Sequence, residues 1–142
     1  MLKDIMTTDV ITISPETSLK EVGAILKRDR VSGLPVVDKD GAVVGVITLT
    51  DMLRILDQIY HWKEIERRVP EIKLSDMFEK EKAEAKVKSI MTKEVLVLDE
   101  SSPIDEVMRL MFDRKVHTIP VTRNGKLVGV VGKRDLISAC FK

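Results

Sequence analysis

The chain has 142 residues, 44% hydrophobic and 33% charged, and its 24 lysines and arginines against 23 acids leave a net charge of +1. That length suits one compact domain or two small units sharing a core, and the charge balance creates no overall field to gather nucleic acid or an anionic membrane. The longest apolar stretch, AVVGVI from Ala42, is far too short to span a bilayer; the start MLKDIMTTD lacks the apolar region of a secretory leader, and the lone Cys140 has no internal disulfide partner, so a cytoplasmic protein is expected.

From the beginning of the chain, KDIMT (Lys3 to Thr7) leads into a short β-rich run, VITI (Val10 to Ile13). Ser18 and Glu21 have the spacing of a capping box, and Leu19, Val22, Ile25 and Leu26 then recur on one helical face. After Pro35 come two β-rich runs joined by DKDG, which reads as a hairpin turn. Gly45-Val46-Ile47 then gives way to Thr48, placed to be the N-cap of a second helix with Asp51 in its first turn. Met52, Ile55, Ile59 and Trp62 carry one face of that helix into a charged connector, which Pro70 interrupts. Ser75 and Asp76 restart a helix there, with Asp76 and Lys80 as an i,i+4 pair. Tyr60, Trp62 and Phe78 lie on this connector, where an apolar stripe ordinarily covers a core and less often meets a partner.

The pattern then begins again. KSIMT (Lys88 to Thr92) and VLVL (Val95 to Leu98) repeat the opening, and Ser102-Pro103 puts proline at the first helical position. Ile104, Val107, Leu110 and Met111 mark the helical face, RNG makes the hairpin turn, and Gly129-Val130-Val131 leads to Gly132 and Asp135. RVSGLPVVDKDGAVVGVITLTDML from Arg30 thus reappears as KVHTIPVTRNGKLVGVVGKRDLI from Lys115, one residue shorter at the turn. Shared order and spacing predict an α+β fold of two β-α-β-β-α units closing on each other with pseudo-twofold symmetry. The boundaries are 1–53 for the first copy, 54–86 for the helical connector and 87–142 for the second copy.

No phosphate-binding loop, dinucleotide fingerprint or recognisable nucleophile–base spacing is present, and His61 and His117 with one cysteine do not make an ordinary zinc site. A basic stripe interleaved with aromatics is also lacking, which argues against nucleic acid. What remains is the repeated strand-to-helix junction. Thr48-x-x-Asp51 and Gly132-x-x-Asp135 read equally as helix caps or as anion sites, in which free N–H groups take a phosphate and the carboxylate takes sugar hydroxyls. Met6 and Met91 suit either a pocket wall or a core.

The two copies resemble cystathionine-β-synthase (CBS) domains in the tandem arrangement known as a Bateman module. The marks are DIMT and SIMT, RVSGLPVVDKDGAVVG, KVHTIPVTRNGKLVG and the ending GVITLTD, and together they cover nearly everything except the connector. The resemblance implies units packed through their sheets, frequent homodimers, and clefts between the copies for an adenine nucleotide (AMP, ADP or ATP) or a related adenosyl ligand such as S-adenosylmethionine. It also implies a non-enzymatic sensor without cofactor or metal, read by an unidentified effector protein. Carried over residue by residue, one cleft would set Thr48, Thr50 and Asp51 against Thr92, Leu96, Val116, His117 and Thr118. The other would set Asp135 and Arg134 against Thr7, Ile11, Val31, Ser32 and Gly33. GVVGKRD departs from the pattern, because Gly132 stands where a hydroxyl residue is expected and Lys133 and Arg134 bring charge instead. The competing readings are a dimerising scaffold with empty clefts and a pair adapted to nucleic acid or another adenosyl ligand.

Overall fold

The computed structural model describes residues 1–66, 74, 78 and 80–141; Pro70, Ser75 and Asp76 lie outside them. In the first copy, α1 (Leu19–Asp29) starts at Ser18, whose Oγ accepts the Glu21 N–H at 3.2 Å, so the expected cap is formed. The helix ends on Arg30 in the left-handed conformation, and the second copy ends its helix the same way on Lys115. β1 (Gly33–Val37) and β2 (Val43–Thr48) then form an antiparallel hairpin. α2 (Leu49–Glu66) carries the chain into the connector, of which α3 (Lys80–Ala83) is described.

The second copy has one fuller sheet. β3 (Leu98–Asp99) opens it and α4 (Ile104–Arg114) follows. β4 (Thr118–Arg123) pairs parallel with β3 and antiparallel with β5 (Lys126–Gly132), before α5 (Lys133–Cys140). The expected hairpin turn between β4 and β5 is formed, and it is a two-residue one: Arg123 pairs with Lys126, and Asn124 and Gly125 both take positive φ.

Two local expectations are corrected. Neither opening run is a full strand: of VITI only Ile13 bridges, to Val36, and of VLVL only Leu98 lies in a strand. The second run extends one residue further, to Asp99, where Glu100 donates its N–H to Thr122 O at 3.0 Å; Pro15, at the position equivalent to Glu100, has no N–H to give. Pro103 is the N-cap of α4 rather than its first helical residue.

The copies are joined by exchange. Thr7 pairs with Val130 of β5, and Thr92 pairs with Val46 of β2. The N–H···O bonds run in both directions at 2.8 and 2.9 Å in the first pair and 3.0 Å in the second. Each opening segment therefore extends the other copy's hairpin. The cores follow: Leu2 is fully buried with Leu98, Val107 and Ile119 of the second copy, and Val87 with Leu19, Val22 and Ile47 of the first. Burying a side chain of that size contributes about 1.5–3 kcal/mol, so each copy depends on the other's leading residues. Gly45 and Gly129 permit the approach. A Cβ on Gly129 would stand 2.7 Å from Thr7 O, and one on Gly45 would stand 2.5 Å from Met91 Sδ. Met6 and Met91 thus lie on this seam, each over the other copy's glycine.

Candidate functional site between the two copies

β2 runs straight into α2, so Thr48 serves both as the last strand residue and as the helix cap. Its Oγ1 accepts the Asp51 N–H at 3.1 Å, while Asp51 Oδ2 accepts the Thr48 N–H at 2.9 Å and the Thr48 hydroxyl at 3.0 Å. This is a complete capping box. The other carboxylate oxygen faces outward: Oδ1 accepts from Arg54 at 3.2 Å and, across the seam, from the Thr92 hydroxyl at 3.4 Å. Asp51 is only 7% exposed and is the one buried charged residue among those described. A charge so placed is retained only with donors around it, and here the donors come from both copies.

The second junction has half of that box. Asp135 Oδ2 accepts the Gly132 N–H at 2.7 Å, but Gly132 has no hydroxyl to return. Oδ1 accepts the Thr7 hydroxyl at 2.8 Å, again across the seam. Each aspartate therefore closes its own helix with one oxygen and reaches the other copy's opening threonine with the second. The seam pairing sets this geometry, since it brings Thr7 and Thr92 alongside the strands that end at the two aspartates.

By backbone bonding, Ser32, Gly33, His117 and Thr118 each lie beside the junction of their own copy. Ser32 and Gly33 border Thr48, through the β1–β2 pairing and a Leu49 N–H to Ser32 O bond of 2.9 Å. His117 and Thr118 border Gly132: Thr118 pairs with it, and Lys133 donates to His117 O at 3.4 Å. Thr50, His117, Thr118 and Arg134 are exposed, whereas Ile11, Val31, Leu96 and Val116 are half-buried. Among the described residues, no hydrogen bond joins Asp51 to Val116, His117 or Thr118, or Asp135 to Val31, Ser32 or Gly33. The direct cross-copy partners are the threonines alone.

A cleft of about 430 Å³ opens beside Asp51 on the connector side, with Arg54, Gln58, Lys82 and Ser89 at its polar edges and Ile55 and Ile90 among its apolar walls. Its volume is within the range of small-molecule sites. Sequence reasoning missed Arg54, Gln58, Lys82 and Ser89. The i, i+3, i+4, i+7 spacing of Asp51, Arg54, Ile55 and Gln58 shows a shared helical face, but not what that face meets. No three His, Cys, Asp or Glu side chains among the described residues converge to hold a metal, and no described helix is long and apolar enough to cross a membrane.

The CBS domain family model matches residues 2–58 and 87–142, one copy each. The chain belongs to the CBS domain family. This CBS pair is 27% identical over 154 residues to the protein MJ1426 of Methanocaldococcus jannaschii, covering 98% of the present chain and 90% of that one. It superimposes on CBSX2, solved in complex with AMP, with a TM-score of 0.76 and 26% identity over 99% of this chain and 95% of that one. It also superimposes on the CBS pair of MJ0100, solved with 5′-methylthioadenosine and S-adenosyl-L-methionine, with a TM-score of 0.73 and 27% identity over 99% of this chain and 94% of that one. Those two neighbours share an adenosine moiety in their ligands.

Proposed function

We propose that this CBS pair is a regulatory, non-enzymatic module that holds an adenine nucleotide or related adenosyl ligand between its copies and signals by shifting one copy against the other. The observation that carries the reading is the position of the two aspartates. Each has one oxygen committed to its own helix and the other turned to a threonine hydroxyl of the opposite copy. A ribose diol offers that outer oxygen two donors, so ligand binding exchanges a direct cross-copy bond for one routed through the ligand. A ligand that engages both copies has different energies in their different arrangements, which is the requirement for a switch. Thr48, Thr50, Thr92, Leu96, Val116, His117 and Thr118 would complete the Asp51 cleft, and Thr7, Ile11, Val31, Ser32, Gly33 and Arg134 the Asp135 cleft. The ligands of CBSX2 and MJ0100 support the adenosyl class.

The scaffold alternative also has an observation in its favour, since the complete box at Thr48 and Asp51 is what helix capping alone requires. Thermal denaturation with AMP, ADP, ATP and S-adenosylmethionine separates the two. A ligand at a hundred times its Kd stabilises by about 2.7 kcal/mol, and no shift with any of them on folded, ligand-free protein would leave the scaffold.

A further inference from the structure

We propose that the cleft beside Asp51 on the connector side is a phosphate subsite gripped by Arg54 and Lys82. A nucleotide held by its ribose on Asp51 then turns its phosphates toward the connector rather than onto the start of α2. The nucleoside half of this assignment rests on the adenosyl reading, and the phosphate half stands without it. The start of α2 has few donors left to offer an anion. The Leu49 N–H is given to Ser32 O at 2.9 Å, and the Asp51 N–H to Thr48 Oγ1 at 3.1 Å. Thr48 commits both its N–H and its hydroxyl to Asp51 Oδ2, at 2.9 and 3.0 Å. Of the groups that make a helix start an anion site, Thr50 keeps its own, and the others would be released only by breaking the capping box.

The cleft has the donors that the helix start lacks. Arg54 gives one N–H to Asp51 Oδ1 at 3.2 Å, and a guanidinium carries five in a fork suited to phosphate. Lys82 lines the cleft from the connector with no ion pair to another described residue, and Gln58 and Ser89 add neutral donors. Two cations against the one Asp51 carboxylate leave an excess of positive charge in a space of about 430 Å³. In a nucleotide the ribose diol and the 5′-phosphate lie on opposite sides of the sugar ring. One molecule can therefore set its hydroxyls on the acid and its phosphates on the cations beside it.

The internal repeat supplies a control. Matching Asp51 with Asp135 and Lys3 with Lys88 sets Arg54 against Ser138 and Ser89 against Asp4. The second copy thus has no cation at the first place and a carboxylate at the second, although the seam pairing and the aspartate-to-threonine contact are kept. Asp135 closes its helix and reaches Thr7 with a serine where the first copy has Arg54, so neither task requires the arginine. The cleft is walled by α2 of the first copy, by the connector and by the second copy's opening segment. Phosphates held there bear directly on how the copies are joined.

The test is calorimetric titration of adenosine, AMP, ATP and sodium pyrophosphate into the full chain and its Lys82→Gln, Arg54→Gln and Thr50→Ala variants, read at the nucleotide site that Asp51→Ala weakens. Wild type should bind ATP at least about tenfold more tightly than adenosine. Lys82→Gln leaves Asp51 and its partners untouched, and it should remove most of that advantage while adenosine affinity stays within about twofold. Arg54→Gln should also remove the advantage, Thr50→Ala should keep it, and pyrophosphate should compete with ATP but not with adenosine. An advantage that survives Lys82→Gln overturns the proposal, and its loss in Thr50→Ala would place the phosphates on the start of α2 instead. Equal affinities of adenosine and ATP for wild type also overturn it. If no nucleoside or nucleotide binds, saturable pyrophosphate binding that Lys82→Gln weakens about tenfold keeps the phosphate site and overturns the adenosyl reading. Absence of pyrophosphate binding as well overturns both.

Discussion

Adding one methyl group at each seam glycine gives a pair of substitutions whose costs differ for a stated reason. In Gly129→Ala the new Cβ meets the Thr7 carbonyl oxygen at 2.7 Å and Met6 Sδ at 2.9 Å. The oxygen belongs to backbone that is bonded to Val130 in both directions, so relief requires pulling the Thr7–Val130 pair apart. In Gly45→Ala the nearest atom, at 2.5 Å, is Met91 Sδ, on a flexible side chain, and the backbone oxygen of Thr92 is farther away at 3.1 Å. Overpacking of this kind costs about 1–3 kcal/mol, and we expect Gly129→Ala near the upper end and Gly45→Ala near the lower. At this size each kcal/mol lowers Tm by roughly 2–4 °C. Urea and thermal denaturation of both variants measure the difference. Gly45→Ala with Met91→Ala should recover much of the methyl's cost relative to Met91→Ala alone, whereas Met6→Ala should rescue Gly129→Ala poorly. Equal costs at the two glycines, or rescue by Met6→Ala as effective as by Met91→Ala, would refute the account of the seam.

Acid should expose the contact between Glu16 and the second copy's leading segment. Lys86 at 2.6 Å and Lys88 at 2.8 Å hold the Glu16 carboxylate, lowering its pKa from the ordinary 4.5 to about 2. The folded value is depressed, so the stabilisation is present above about pH 4.5 and is lost as pH falls toward 2; Glu16→Gln should flatten that part of a stability–pH curve and a high-salt series should do the same. Leu49 and Leu53 on α2, Ile137 on α5 and Phe141 just after it are 52%, 62%, 61% and 85% exposed, and we expect these faces to meet in a homodimer. Light scattering at high micromolar concentration should report a dimer that Leu53→Glu with Ile137→Glu converts to monomer; a wild-type monomer with and without nucleotide would contradict it. Incubation with ATP should release no phosphate, since hydrolysis needs a positioned water and stabilisation of transition-state charge as well as grip. Release that survives repurification and disappears with Asp51→Ala would contradict that.

The features legible in the sequence are those decided within one copy. Ser18 capping Glu21, the Asn124-Gly125 turn and the Thr48–Asp51 box depend on residues three or fewer apart, and local spacing is enough to place them. Both opening runs bond to their hairpins only at their last residues, Ile13 and Leu98, which hydrophobic alternation does not register, and Pro15 removes a further ladder donor from the first copy. No periodicity reports the exchange of opening segments, or which copy each completes, since Thr7 and Asp135 are 128 positions apart; it is the family resemblance that sets Thr7 against Asp135 and Thr92 against Asp51. The sequence did leave a trace of it in Gly45 and Gly129, at matched places in strands with no turn nearby. The cleft beside Asp51 was hidden for the same reason, because Lys82 and Ser89 reach it from the connector and the second copy.

Calorimetric titration of AMP, and separately of ATP, into wild type, Asp51→Ala and Asp135→Ala tests the central claim most directly. Asp51 has two threonine hydroxyls beside it and nearly complete burial, whereas Asp135 has Gly132 at its cap and a shorter bond to Thr7 that the ligand must displace. Charge-assisted hydrogen bonds are worth about 1.5–3 kcal/mol each, so Asp51→Ala should weaken the tighter AMP site by roughly 10- to 100-fold, while Asp135→Ala leaves it nearly intact. Helix capping alone predicts a different result: a stability loss of about 0.5–2 kcal/mol in each variant and no selective change in binding. Loss of the tight AMP site in Asp135→Ala with its retention in Asp51→Ala would reverse the ranking of the clefts, and unchanged AMP and ATP binding in both variants would contradict the role assigned to the two aspartates.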